Sequence, residues 1–267
     1  RLLDALLALG QPTAVVAHRT SPTNMGLALL ADLAAYDFGY LSAGRLVTRT
    51  TQALETMGSL ERYRGHFYNW YDTQTRLPLA PLYVSTVDSG NLAGHLLTLR
   101  PGLVALCDAP VINARWLDGV ADTFAILVDA ASAEGASSLD QFHAALRVAR
   151  SAPTATLADA WKQVKVLAER AADTVTYFTG DPTTVPASET ARWAHALATQ
   201  CADVRDELAH LAPWLELPSI PSDPRVPGGN GIPTLRDLAT VNATLSVVER
   251  NRYEAAAANE ALDGSVQ

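Results

Sequence analysis

The sequence predicts an all-α fold that carries one small β-hairpin. Three observations lead there. Apolar residues recur at helical spacing through most of the 267 positions. No alternation of strand and helix marks an α/β fold. Apolar residues make up 48% of the chain and charged residues only 18%, with Ala and Leu abundant, a composition suited to buried helices.

Taken in order, residues 1–9 read as the end of a helix, stopped by Gly10 and Pro12. After a linker over Val15–His18, Ser21 is a good N-cap, and Pro22 fits the first helical position, where its missing N–H would be unpaired anyway. That helix runs to about Phe38 with Met25, Leu29, Leu30 and Leu33 inward, and Gly39 stops it. Ser42 caps the next, which carries Leu46, Thr50, Leu54 and Met57 on one stripe and ends at Gly65. Helical pattern returns from Ser89 to about Leu106, where Pro101 is expected to bend or break it. Pro110 is read as the start of a helix through Trp116, Val120, Phe124 and Leu127, and Glu134–Ser138 as a connector. Leu139–Val148, Leu157–Phe178 and Ser188–Ala212 follow, separated by Pro153, by Gly180-Asp181-Pro182 and by Pro213. Leu217–Pro233 is rich in Pro and Gly and reads as a loop. Thr234 caps a last helix to about Leu262, with Asp237 in its first turn. The total is about eight or nine helices.

The remaining stretch, Glu61–His95, concentrates aromatic, amide and carboxylate side chains as no other segment does. Phe67–Tyr71 favours extended structure, Asp72–Thr75 supplies a turn, and Tyr83–Ser85 is expected to return as the second strand. Alternation would place His66, Tyr68 and Trp70 on one side and Phe67, Asn69 and Tyr71 on the other. Asp88 and Asn91 then fall near a helix start, where backbone N–H groups point outward. Two readings fit this pattern. In one, the aromatics fill a core and Asp72 caps a turn; in the other, rings and fixed polar groups line a cleft for a neutral, hydroxyl-rich ligand. Spacing does not separate them.

Charge and cysteine usage narrow the classes. The net charge is −8 and the pI about 5.2, with no basic stripe, which disfavours nucleic acid as a partner. Cys107 and Cys201 lie in apolar helical runs and are expected to be small buried hydrophobes. The six His are dispersed, so neither a metal site nor a cofactor is expected. Gly228-Gly229-Asn230-Gly231 lacks the Lys-Ser/Thr of a phosphate loop and reads as a turn. No apolar run is long enough to span a membrane, and no signal segment is found. Beginning with Arg inside a helical pattern, the chain reads as a piece of a longer polypeptide.

Two strings, GHFYNWYDT and YVSTVDSGNLAGHL, together with AHRTSPTNMGLALLADLAAYDFGYLS over Ala17–Ser42, carry a family resemblance. They resemble the middle, cyclisation region of bacterial cyclic β-1,2-glucan synthases, which is related to glucoamylase-like (α/α)6 toroids. The motif-rich part is residues 16–97; residues 107–267 are helical without a matching motif. The resemblance implies that the chain is a single helical domain, a partial toroid of helical hairpins cut from a larger one. It implies a β-1,2-linked glucan as ligand, transglycosylation as the parent's activity, and other domains of the parent polypeptide as partners. It also implies an inner-membrane parent, with this segment soluble on the cytoplasmic side and inactive on its own.

Glycosyl transfer needs an acid to protonate the leaving oxygen and a second carboxylate. Asp88 is the local candidate for a catalytic carboxylate. The candidates for glucan contact are Arg19, Asn24, His66, Tyr68, Trp70, Asp72 and Asn91, with Tyr68 and Trp70 as the stacking pair. The rival readings are a β-1,2-glucan hydrolase and a non-catalytic glucan-binding or bracing module.

Overall fold

The computed structural model describes residues 17–131, 136–152, 154–180, 183, 185–216 and 231–240. Among the described residues the structure is mostly helical, with two short strand pairs rather than one hairpin. Its described residues divide into two compact units, one of residues 17–36 and 44–104, the other of residues 37–43 and 105 onward.

The first unit opens with β1 (Arg19–Thr20) and α1 (Pro22–Asp37), and the backbone N–H of Asn24 donates to the cap hydroxyl of Ser21 at 3.3 Å. The next helix, α2 (Ala43–Ser59), buries Leu46, Thr50 and Met57, but Leu54 is 40% exposed and Ala53 packs inward in its place. It ends at Ser59, earlier than Gly65. Arg64 and Gly65, both at positive φ, instead form the tight turn between β2 (Arg62–Tyr63) and β3 (His66–Phe67).

The aromatic run is not one continuous strand. Residues 68–70 lie outside strands, and β4 (Tyr71–Asp72) pairs with β1, not with Tyr83–Ser85. The chain does return beside it, through Asp72 N–H to Leu77 O, Leu79 N–H to Trp70 O and Asn69 N–H to Tyr83 O, each 2.9 Å. The last helix of the unit, α3 (Thr86–Ala105), starts before Ser89, with the Ser85 hydroxyl accepting from Asp88 N–H at 3.1 Å. It continues through Pro101 without a break. Leu29, Met57, Leu92 and Leu99 form the core where the three helices meet.

In the second unit, α4 (Trp116–Ala131), α5 (Ala136–Ser151), α6 (Leu157–Thr179) and α7 (Glu189–Leu211) pack with α6 between α5 and α7, and α7 also against α4. Their inward residues repeat at helical spacing: Leu157, Ala160, Trp161, Val164, Leu167, Ala168, Ala171 and Val175 on α6 are buried. Each fully buried Val, Leu or Phe contributes about 1.5–3 kcal/mol. Thr156 and Ser188 cap α6 and α7 by accepting from Asp159 and Ala191 N–H. Thr234 and Asp237 bond reciprocally where residues 235–240 begin a helix; its expected course to Leu262 lies outside the described residues. The calls on residues 1–16, on Pro153 and on most of Leu217–Pro233 also lie outside the described residues.

Three expectations fail here. Pro110 does not start a helix. It bridges to Thr234, while Val111 N–H donates to Pro233 O, and α4 begins only at Trp116. Residues 136–138, read as connector, are the first turn of α5. Cys107 is exposed in a 3-10 turn (Leu106–Asp108); only Cys201 is buried, and burial pushes its thiol up to about 12.

The segment 37–43 is held on α4 and α7. Gln200 donates Nε2–H to Gly39 O at 2.9 Å, and its Oε1 lies 2.8 Å from the Thr123 hydroxyl. All three partners are buried. Gln200→Leu removes the donor to a buried carbonyl, with an expected loss of about 1–3 kcal/mol. The urea midpoint of the purified variant checks this; an unchanged midpoint would show that the bond is dispensable.

Candidate functional site

Two helix N-termini share one end of the first unit. Along α1 and α3, Thr23 meets Asp88 and Asn91, a Cβ on Gly26 would meet His95, and one on Gly102 would meet Leu33. Partner numbers rise together, so the helices run parallel and their capped starts lie side by side. Asp88 sits between them. Its Oδ1 accepts from the Thr23 hydroxyl at 2.6 Å, and Thr23 Oγ1 accepts from Asn91 Nδ2 at 3.1 Å.

The buried Asn69 amide extends this network. Only one orientation satisfies its neighbours: Oδ1 accepts from the Tyr83 hydroxyl at 2.5 Å and from Trp70 Nε1–H at 2.6 Å, and Nδ2 donates to Asp88 Oδ2 at 2.9 Å. The indole, the amide and the carboxylate are thereby fixed in series. Burial raises the Asp88 carboxyl, but hydrogen bonds from Thr23, Ser85 and Ser21 outweigh it and leave the group below its ordinary range.

The β1–β4 pair sits beside this network. Arg19 places its guanidinium 4.8 Å from the Trp70 ring centroid, which covers one face of the indole. Asp72 Oδ1 accepts from the N–H groups of Gln74 and Thr75 at 2.8 and 2.7 Å. These backbone bonds, Thr75 first, hold its carboxyl below the usual range. Tyr71 is buried, accepts from Tyr68 N–H and donates to Glu61 O at 2.7 Å, and burial pushes its hydroxyl upward. Its ring meets Phe67 edge-on at 6.3 Å.

A cavity of about 520 Å³ opens between α1, α2 and the turn after β4. Met25, Ala28, Ala53, Met57 and Leu60 supply its apolar lining; Thr20, Asn24, Gln52, Thr56, Asp72, Thr73 and Arg76 supply polar groups. Asp32 and Arg49 also line it and pair at 2.8 Å. Arg76 is held at φ 64°, a left-handed conformation uncommon outside glycine.

No family model matches the chain. Over 120 residues, however, it is 43% identical to the cyclic beta-(1,2)-glucan synthase NdvB of Rhizobium meliloti (strain 1021). The chain resembles a segment of a cyclic β-1,2-glucan synthase. The aligned part is 45% of this chain and only 4% of that synthase. Among the described residues, no helix is long and apolar enough to cross a membrane.

The residues singled out from the sequence fall into three places. Trp70, Asp88 and Asn91 join the network at the helix starts, and Arg19 reaches it through the indole. Asn24 and Asp72 line the cavity. His66 is exposed on the β2–β3 hairpin, and Tyr68, half-buried, is tied to Tyr71 through its backbone. Sequence reasoning passed over Thr23, Asn69 and Tyr83 in the network, and Gln52 and Arg76 on the cavity. A Thr two residues after a capping Ser, and an amide inside an aromatic run, were available signals. Nothing local marks Gln52. Chemically, Asp72 and Asp88 are both carboxylates at neutral pH, so neither is arranged to donate a proton to a leaving oxygen.

Proposed function

We propose that this chain supplies glucan-contacting loops to the cyclisation site of a cyclic β-1,2-glucan synthase-like protein. The likeness to the Rhizobium synthase is the observation that carries the reading. The site chemistry supports it, with half-exposed aromatics fixed beside amide, hydroxyl and carboxylate groups, and a cavity in the size range of small-ligand pockets. In this reading Tyr68 and Trp70 stack on sugar faces, while Arg19, Asn24, His66, Asp72 and Asn91 bond hydroxyls. The α1–α2 hairpin, followed by α3 parallel to α1, is read as an arc of an (α/α)6 toroid within one larger helical domain. The parent holds a linear β-1,2-glucan, cleaves one linkage and closes the chain on its own end. A cleft that excludes water but admits a sugar hydroxyl favours transfer over hydrolysis. The parent's inner-membrane location and the segment's place on the cytoplasmic side belong to the same proposal.

A second reading has its own support. Both carboxylates nearest the aromatic loop are held low by hydrogen bonds, whereas glycosyl transfer needs one group that keeps its proton. The chain alone is then a binding module, with the acid supplied elsewhere in the parent, and Asp88 positions Trp70 rather than reacting.

Calorimetry with linear β-1,2-glucans of graded length tests the binding proposal. Saturable binding is expected, weakened about tenfold, or about 1.4 kcal/mol, by Trp70→Ala. Absence of heat with every glucan would reject a sugar-binding role. Incubation of the chain with linear glucan is expected to give neither cyclic product nor new reducing ends; either product would place the acid within this chain and end the module reading.

A further inference from the structure

We infer, resting on the glucan reading for the ligand, that Tyr83 is a further sugar-stacking ring and that Asn69 is the positioning residue that sets it beside Trp70.

Tyr83 lies in the irregular segment between Leu79 and α3 and is 48% exposed. An exposed tyrosine on such a segment ordinarily turns among rotamers. Here one residue holds both of its ends. Asn69 N–H donates to Tyr83 O at 2.9 Å, and the Tyr83 hydroxyl donates to Asn69 Oδ1 at 2.5 Å. Trp70 is also held at two points. Its carbonyl accepts from Leu79 N–H at 2.9 Å, and its indole N–H donates to Asn69 Oδ1 at 2.6 Å. An amide oxygen has two lone pairs, and the two ring donors fill both. The polar edges of the rings therefore meet at one atom. Asn69 itself is buried, and its Nδ2 is committed to Asp88 Oδ2.

Core packing does not explain this arrangement. A ring that is fixed yet exposed loses rotamer freedom without the burial that normally offsets the loss. What it gains is a lower ordering cost when a ligand settles on it. The chemistry of the pair suits a pyranose. Aromatic faces take up its C–H face, and the ring-edge donors, already bonded to Asn69, do not compete for its hydroxyls. The Arg19 guanidinium lies over one face of the Trp70 indole, so a sugar takes the opposite face.

Near-UV circular dichroism tests the positioning without a ligand. Trp70 is the only Trp in residues 17–104, and its band is the difference between the chain and its Trp70→Phe form. Asn69→Leu is expected to abolish most of that band. Asn69→Asp alone sets two carboxylates against each other and is expected to weaken the band at pH 8. Adding Asp88→Asn exchanges amide and carboxylate, so both ring donors, the bond between positions 69 and 88 and the Thr23 hydroxyl regain partners, and the band should return. A band that survives Asn69→Leu, or that the exchange fails to restore, would overturn Asn69 as the positioning residue.

Calorimetry with linear β-1,2-glucans tests the contact. Tyr83→Ala is expected to weaken binding about tenfold, and Asn69→Leu as much although both rings remain. Tyr63→Ala, on the β2–β3 hairpin and at 52% similarly exposed, should leave the affinity unchanged. Both tyrosines are exposed, so unchanged melting temperatures confirm that these two variants fold. Binding that Tyr83→Ala leaves intact, or that Tyr63→Ala weakens equally, would reject Tyr83 as a contact and leave the glucan reading in place. Absence of heat with the unaltered chain would reject the glucan reading and, with it, the contact.

Discussion

Gly119→Val is expected to lower the stability of the second unit by about 3–5 kcal/mol. A Cβ at position 119 would lie 2.3 Å from Gly39 O and 2.4 Å from Gly39 C. Both are backbone atoms, so no rotamer change relieves the overlap. Gly39 cannot retreat either: it has φ 79°, and its own Cβ would lie 2.2 Å from Arg115 O. Gly119 thus leaves room for the Gly39 carbonyl and Gly39 leaves room for that of Arg115, and the carbonyl packed against Gly119 is the one that Gln200 satisfies. Single domains have about 5–15 kcal/mol in total, so the loss is a large share. Urea unfolding followed by tryptophan fluorescence reads it, since Trp116, Trp161 and Trp214 are all buried in this unit. Gly58→Ala is the control. Its Cβ meets nothing within 4 Å, and a helical Gly replaced by Ala should gain about 0.5–1 kcal/mol. A Gly119→Val midpoint close to that of the unaltered chain would show that the close approach is not needed.

The sequence made legible what adjacent residues decide among themselves. Ser21-Pro22 started α1 and Gly39 followed its end because capping and positive φ are local chemistry. Asp72 was readable for the same reason, as its side chain bonds the backbone two and three residues on. Pro110 misled because its partners, Thr234 and Pro233, lie on a distant part of the chain. Pro101 misled in the opposite direction. It forgoes one backbone bond near the end of α3, but Leu99 and Leu103 pack on either side of it, and tertiary contacts kept the helix whole. Cys107 looked buried by its apolar neighbours, yet the helix had already tightened into a 3-10 turn that faces it outward. At the site, a short aromatic run announced polar and aromatic groups together but not their grouping. Asn69 joins Trp70 to Asp88 only because residues 68–70 leave the strand pattern, which alternation does not anticipate.

Asp88→Ala is expected to have the second large effect, destabilising the first unit by about 2–4 kcal/mol and removing the alignment of Trp70. The carboxylate accepts from the Thr23 hydroxyl and the Asn69 amide, beside the starts of two parallel helices whose N–H ends favour negative charge. Its loss leaves a buried amide nitrogen without an acceptor. Asp88→Asn keeps the shape but not the charge and is expected to cost less. The pH dependence follows from the direction of the shift. The folded-state carboxyl lies below its ordinary value, so its stabilising contribution is complete above the unfolded value of about 4. That contribution is lost as pH falls through the lower, folded value. Urea midpoints of the unaltered chain and of Asp88→Asn should therefore differ most near neutral pH and converge under acid; a gap that stays constant down to pH 2 would remove the charge from the account. Thr23→Val supplies the independent check. It deletes the shortest bond to the carboxylate, so a cycle with Asp88→Asn should show coupling of about 0.5–3 kcal/mol. Simple additivity would mean that Asp88 does not hold the two helix starts together through Thr23.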